Sequence, residues 1–201
     1  MRTAYVALVL ALCGLLAAAA PVPKDQGESP YYPTKVGMKL VYDYQEVGEL
    51  IFVVTEVKDI KGGKRVTVER RNLKEPIIAI FEATGRGLVE VEHGEQKLAP
   101  PVVILPTPVR SGDKWSYKLP EAPCRPGVEC THTVVGVEKL KVPGGTFEAV
   151  RVDTEYKGFL RDAVWDYKYS RWYAPHVGLV QEKLADGKLV AVLKSITLPK
   201  E

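Results

Sequence analysis

The chain reads as an all-β protein, with about ten to twelve mostly antiparallel strands closed into a barrel, a half-barrel or a curved sandwich. Three observations predict this. No segment sustains a 3.6-residue apolar period, so helices should be few and short. Short runs rich in Val, Ile, Thr and Tyr alternate in polarity and stop at turn residues, and the 17 glycines and 15 prolines of the 201 residues sit between them. The turn landmarks of the first half also recur, in the same order, in the second.

The recurrence has three parts. Tyr31 to Tyr42 carries Pro-Thr, then Gly-x-Lys, a large apolar residue and Tyr, and Leu105 to Tyr117 repeats it. Leu50 to Ile60, Gly62-Gly63 and Arg65 to Arg71 form a strand, a two-glycine turn and a strand; Thr133 to Val142, Gly144-Gly145 and Phe147 to Thr154 do the same. Ala83 followed by Gly87-Leu88-Val89 matches Ala174 followed by Gly178-Leu179-Val180. We therefore expect a single β domain over residues 31–201, an internal duplication of halves 31–104 and 105–201.

Within that frame each element has its own signal. Arg65 to Glu69 alternates cleanly, so one of its faces should be wet. Leu50 to Val54 and Leu189 to Leu193 are apolar on both faces and read as central or doubly covered strands. His93-Gly94 and Asp186-Gly187 mark further turns. The four prolines from Pro100 to Pro108 cannot donate to a ladder, so the seam between the halves should run as an edge or an extended crossover. Phe147 and Ala149 fall on one face but Val150 and Val152 on the other, which predicts a bulge near Ala149.

The first residues are a different material. Arg2 is followed by an apolar run from Ala4 to Leu16 and by Ala17 to Ala20, the pattern of a signal peptide over residues 1–19 cut after Ala19. An uncleaved anchor would need ~20 apolar residues, and a lipoprotein cut at Cys13 would place the bulky Leu12 before the cysteine. Residues 20–30 are polar and proline-rich and read as a flexible lead-in. The mature chain carries no later segment fit to span a membrane as a helix, and export places it in the periplasm or outside the cell.

Losing Arg2 lowers the formal charge from +3 to +2, with no basic stripe, so nucleic acid is not an expected partner. Cys124 and Cys130 flank Pro126-Gly127. In an oxidising compartment they read as a disulfide across a hairpin, worth about 2 kcal/mol for so short a loop. The rival reading, half of a zinc site, lacks two further ligands nearby.

Catalytic signals are weak. None of Ser29, Ser111, Ser116, Ser170 and Ser195 lies in a Gly-x-Ser-x-Gly turn. His93, His132 and His176 show no metal spacing, so neither a metal nor a cofactor is expected. Asp153 and Glu155, or Asp162 and Asp166, would share a strand face. A glycosidase uses such a pair, but acids on one strand face are ordinarily its wet side.

The most distinctive stretch is Trp165 to Tyr173. In a strand Trp165, Tyr167, Tyr169, Arg171 and Tyr173 line one face, with Asp166, Lys168, Ser170 and Trp172 on the other. The aromatic face either plugs the core or lines a cavity for an apolar, amphipathic or sugar ligand, tyrosine hydroxyls suiting a half-wet wall.

Tyr31 to Tyr42, Val142 to Ala149 and Trp172 to Val180 resemble the Tyr-x-Pro-x-x-x-Gly-x-x-Trp-x-Tyr, Val-Pro-x-Gly-x-Phe-x-Ala and Trp-Tyr-Ala-Pro-x-Val-Gly-x-Val elements of a group of uncharacterised exported bacterial β-rich proteins. Leu40 stands where Trp is usual, and Trp115 holds the matching place in the second half. The chain is also distantly similar to the lipoprotein-carrier (Lol-like) open barrels, which pack helices into the barrel mouth. The resemblance implies a fold and an export route and no mechanism. The leading expectation is a non-catalytic envelope protein holding an apolar or amphipathic small molecule against Trp165, Tyr167, Tyr169 and Tyr173. A structural or protein-docking envelope module is the second, and an uncharacterised hydrolase the third.

Overall fold

Alternating β-branched runs broken by glycine turns pair with their nearest neighbours, and the strand order is a meander throughout. The computed structural model describes residues 31–118, 128–160 and 163–199. Its first six strands are β1 (Lys39–Tyr44), β2 (Gly48–Ile60), β3 (Gly63–Arg71), β4 (Ile77–Thr84), β5 (Gly87–His93) and β6 (Gln96–Pro106). The other six are β7 (Lys114–Lys118), β8 (Glu129–Val142), β9 (Gly145–Leu160), β10 (Ala163–Ala174), β11 (Gly178–Leu184) and β12 (Leu189–Thr197). All pairs are antiparallel, in the order β6-β5-β4-β3-β2-β1-β12-β11-β10-β9-β8-β7, and the sheet curls into a nearly closed barrel with no helix among the described residues.

Two six-strand meanders thus meet where β1 pairs with β12. The matched landmarks fall on strands six apart: the Pro-Thr segments lead into β1 and β7, the double glycines join β2 to β3 and β8 to β9, and the Gly-Leu-Val turns open β5 and β11. The proline-bearing β6 is an edge strand, as its missing N–H groups require.

Because strands alternate in direction, the turns after β1, β3, β5, β9 and β11 share one end of the barrel. The other end is closed by residues ahead of β1. Tyr31 and Pro33 are buried there, and Tyr32 leans on Phe81 of β4 with ring centroids 4.6 Å apart. Gly178 lies against this plug, and its φ of +86° is a conformation that favours glycine.

The β8–β9 hairpin runs past the end of β10, and its tip hydrogen-bonds β12 through Gly144 N to Leu193 O at 2.9 Å. Val142 and Ala149 join Trp172, Val180, Val192 and Leu193 in the larger core, while Val150 and Val152 belong to a second core with Leu88, Leu105 and Tyr173. This corrects the bulge expected near Ala149. The register of β9 is continuous there, and the irregularity lies opposite it on β8, between Val134 and Gly136. The change of phase in the sequence marks cover on both faces of β9, not a kink within it.

The disulfide expected between Cys124 and Cys130 gains no support. Cys124 lies outside the described residues, as do the signal peptide, Cys13 and the lead-in through residue 30. Cys130 is fully buried on β8, between Tyr117 of β7 and Tyr156 of β9 in the register.

Candidate functional site

Inward-facing positions of the first meander and of β10 and β11 leave a cavity of about 280 Å³ unfilled. Its floor is the plug, Tyr32 and Pro33, with Leu88, Val177 and Leu179 beside them. One wall runs across β1 to β4 through Leu40, Phe52, Val68 and Phe81. Small Ala79 on β4 leaves room between them. Tyr42 crosses above β12 and donates its hydroxyl to the Leu179 carbonyl at 2.7 Å, and burial pushes its phenol well above the ordinary range. Burial likewise raises Tyr32, Tyr44 and Tyr173, so all four are neutral hydroxyls lining an apolar space.

Five charged or ionisable groups interrupt that surface. Arg171 of β10 and Glu182 of β11 lie opposite one another in the register and pair at 3.1 Å. Burial works against the Arg171 charge, but the oxygens of Tyr156, Glu182 and Tyr173 outweigh it and hold the guanidinium firmly protonated. Glu90 and His93 of β5 meet at 2.7 Å, Oε1 to Nδ1. Arg70 of β3 stands over the Phe52 ring at 5.1 Å, with its Nε buried and without a hydrogen-bond partner.

Of the residues singled out by sequence, Tyr173 and its neighbour Arg171 line the cavity. Tyr169 and Tyr167 continue the same face toward the end of the barrel opposite the plug. Tyr169 meets Tyr156 edge-on at 5.7 Å and Tyr167 at 6.4 Å, and Tyr167 is 42% exposed. Trp165 belongs to the β10 backbone, but its side chain lies outside the described residues. The stripe is therefore a graded one, buried at Tyr173 and wet at Tyr167. Trp172, on the opposite face, donates Nε1 to Glu138 at 2.8 Å under the Arg151 guanidinium.

The paired carboxylates are the wet side of their strands. Asp153 is held by Arg151 at 2.9 Å and by Ser170 at 2.7 Å, and Glu155 by Lys168 at 2.9 Å. Asp166 is exposed, and Asp162 lies outside the described residues. His132 is buried between Trp115 and Tyr117, at 4.8 and 5.3 Å, and shares a hydrogen bond with Thr154 at 2.9 Å. His176 sits in the β10–β11 turn with φ 59°. No three His, Cys, Asp or Glu side chains among the described residues gather as a metal set.

Sequence reasoning missed Arg70, Glu90 and His93. Glu90 and His93 are three apart, which in a regular strand places them on opposite faces. The register slips between them: Phe81 faces Glu90 while Ala79 faces His93, so the extra residue on β5 turns both inward. Arg70 did leave a signal, since it continues the inward phase of Val66 and Val68.

No family model matches this sequence, and no curated protein matches it. Solved structures do. A proposed exported protein with a YmcC-like fold from Bacteroides fragilis NCTC 9343 superposes with a TM-score of 0.58 at 14% identity, over 84% of this chain and 99% of that one. A proposed lipoprotein from Parabacteroides distasonis ATCC 8503 gives 0.52 at 16% identity, over 87% and 100%. At these identities the likeness is one of fold alone, the first of the two structures being described as YmcC-like. The further likeness to lipoprotein-carrier barrels is not shown, and the helices those carriers pack into the mouth have no counterpart among the described residues.

Proposed function

We propose that this chain is a non-catalytic exported β-barrel that holds a small apolar or amphipathic molecule in the cavity between its plug and β1–β5. The observation that carries the reading is the cavity itself. An apolar, aromatic-walled space with a few convergent polar groups is the usual form of a ligand site, and 280 Å³ sits at the small end of that class. The signal-peptide pattern supports export, and so does the fold shared with structures described as an exported protein and a lipoprotein. A docking module would instead show a contiguous apolar patch. Among the described residues the exposed large apolar side chains are Val36, Val47, Ile78, Val135, Tyr167 and Leu198, of which Val36 and Leu198 lie near the facing pair Lys39 and Thr197.

The test is native mass spectrometry of the mature protein purified from its export compartment, with Ala79→Trp as the variant that fills the space. A stoichiometric added mass, removed by solvent extraction and absent from Ala79→Trp, is the expected result. A clean apo mass that takes up no added amphiphile would overturn the reading in favour of a structural or docking module.

A second reading rests on Glu90 and His93. A carboxylate orienting an imidazole at 2.7 Å on the rim of a cavity is the pairing a general base needs. The described wall carries no serine, threonine or cysteine, so the base would act on water. Ester hydrolysis lost in His93→Ala and Glu90→Gln, with unchanged folding, would establish it.

A further inference from the structure

Among the described residues two arginines line the cavity, and they are treated differently. Arg171 is answered by Glu182, by the Tyr156 hydroxyl at 3.1 Å and by the rings of Tyr156 and Tyr169. Arg70 has no ion pair with any described carboxylate. The acid that lines the cavity on β5, Glu90, is already engaged by His93. Arg70 packs on Phe52, faces Ile77 across the β3–β4 ladder and lines the cavity; its Nε is shut off from that space, so the terminal guanidinium nitrogens are what an incoming group can reach. A cation that lines an apolar space without a counter-charge gains more from an anionic acceptor than a neutral donor would.

We infer that the cavity is built for a carboxylate-headed amphiphile whose acid group pairs with the terminal guanidinium nitrogens of Arg70 and whose apolar tail lies along Phe52, Val68 and Phe81 toward the plug. This rests on the cavity being a ligand site and adds the chemistry of the ligand. A doubly charged phosphate fits less well, because Glu90 and Glu182 line the same small space and would repel the second charge. A planar carboxylate matches the guanidinium edge, and its single charge matches the single open cation. A free fatty acid and a longer molecule ending in a carboxylate share this chemistry.

The experiment compares octanoate with octanol, which have the same chain and differ in the head, by calorimetric titration into the mature protein. Arg70→Met, which keeps the bulk of the side chain, is titrated in parallel, and the folding of each protein is checked by its melting curve. Octanoate should bind about tenfold or more tightly than octanol, the factor carried by one hydrogen bond to a charged group. Arg70→Met should remove that preference, so that octanoate binds no more tightly than octanol. Equal binding of the two probes by the parent protein would overturn the carboxylate inference while leaving the cavity reading standing. Binding of neither probe by folded protein would overturn both. The comparison in the parent protein decides the matter even if the variant does not fold. Longer carboxylates titrated against free fatty acids then separate the two sources.

Discussion

The indole Nε1 of Trp115 on β7 donates to the backbone carbonyl of Val103 on β6 at 3.1 Å, and so joins the two edge strands of the sheet. The corresponding seam six strands on, β1 with β12, is a backbone ladder from Lys39 to Tyr44 with one register shift between Val41 and Tyr42. The proline-bearing β6 is a poor ladder partner, and a side chain spans the place where backbone pairing ends.

Trp115→Phe keeps the ring on His132 and removes the donor. It should cost about 1 kcal/mol, the net value of one partly buried hydrogen bond, seen as a lower urea midpoint. Amide exchange should quicken in β6 and β7 but not in β1 and β12. Unchanged exchange at the edges would mean that the bond does not hold the seam.

His132 should make stability depend on pH. Burial first, and the Arg171 charge second, lower its pKa from the ordinary 6.5 to about 4. The unfolded chain therefore takes up the proton before the folded one does. The contribution is fully present above pH 6.5 and is lost progressively as pH falls toward 4, with a slope of up to roughly 1.4 kcal/mol per pH unit. Urea titrations across this window should show the slope in the parent protein and a shallower one in His132→Phe.

The Arg171–Glu182 pair is an internal charge balance. Glu182→Gln leaves the guanidinium enclosed with its main counter-charge removed and should cost roughly 3 kcal/mol. Replacing both residues with methionine should recover most of that loss, because apolar groups of similar volume suit the same wall. Chemical denaturation of the two variants checks the order. Equal losses would show that the cost comes from packing and not from the unpaired charge.

The tyrosines of β10 should separate by position. Tyr173, 8% exposed and in the second core, should cost about 3 kcal/mol or more as Tyr173→Ala. Tyr167, 42% exposed, should cost under about 1 kcal/mol as Tyr167→Ala. A comparable loss at both positions would make the whole stripe structural.

Much of this molecule is legible in its sequence, because the information is local. Gly62-Gly63, Gly144-Gly145, His93-Gly94 and Asp186-Gly187 name their turns through backbone freedom, and the prolines of β6 announce an edge through the N–H groups they lack. Alternation placed Arg171 and Tyr173 on one face and Trp172 on the other without any tertiary contact. The candidate site was less legible, since it depends on which strand lies opposite which.

The phase slips near Thr55, Val91 and Val135 cannot be read from one strand, because a bulge exists only relative to its partner. The slip at Val91 turns Glu90 and His93 to the same side. Packing across the barrel decides that Tyr32 and Pro33 close its floor, that Ala79 leaves a cavity, and that Glu182 answers Arg171 while Arg70 is left open. Strands, their faces and their ends are written in short stretches of backbone and follow from local residue order. Which inward residues meet depends on neighbours far away in the chain, because burial and charge pairing are set across the barrel.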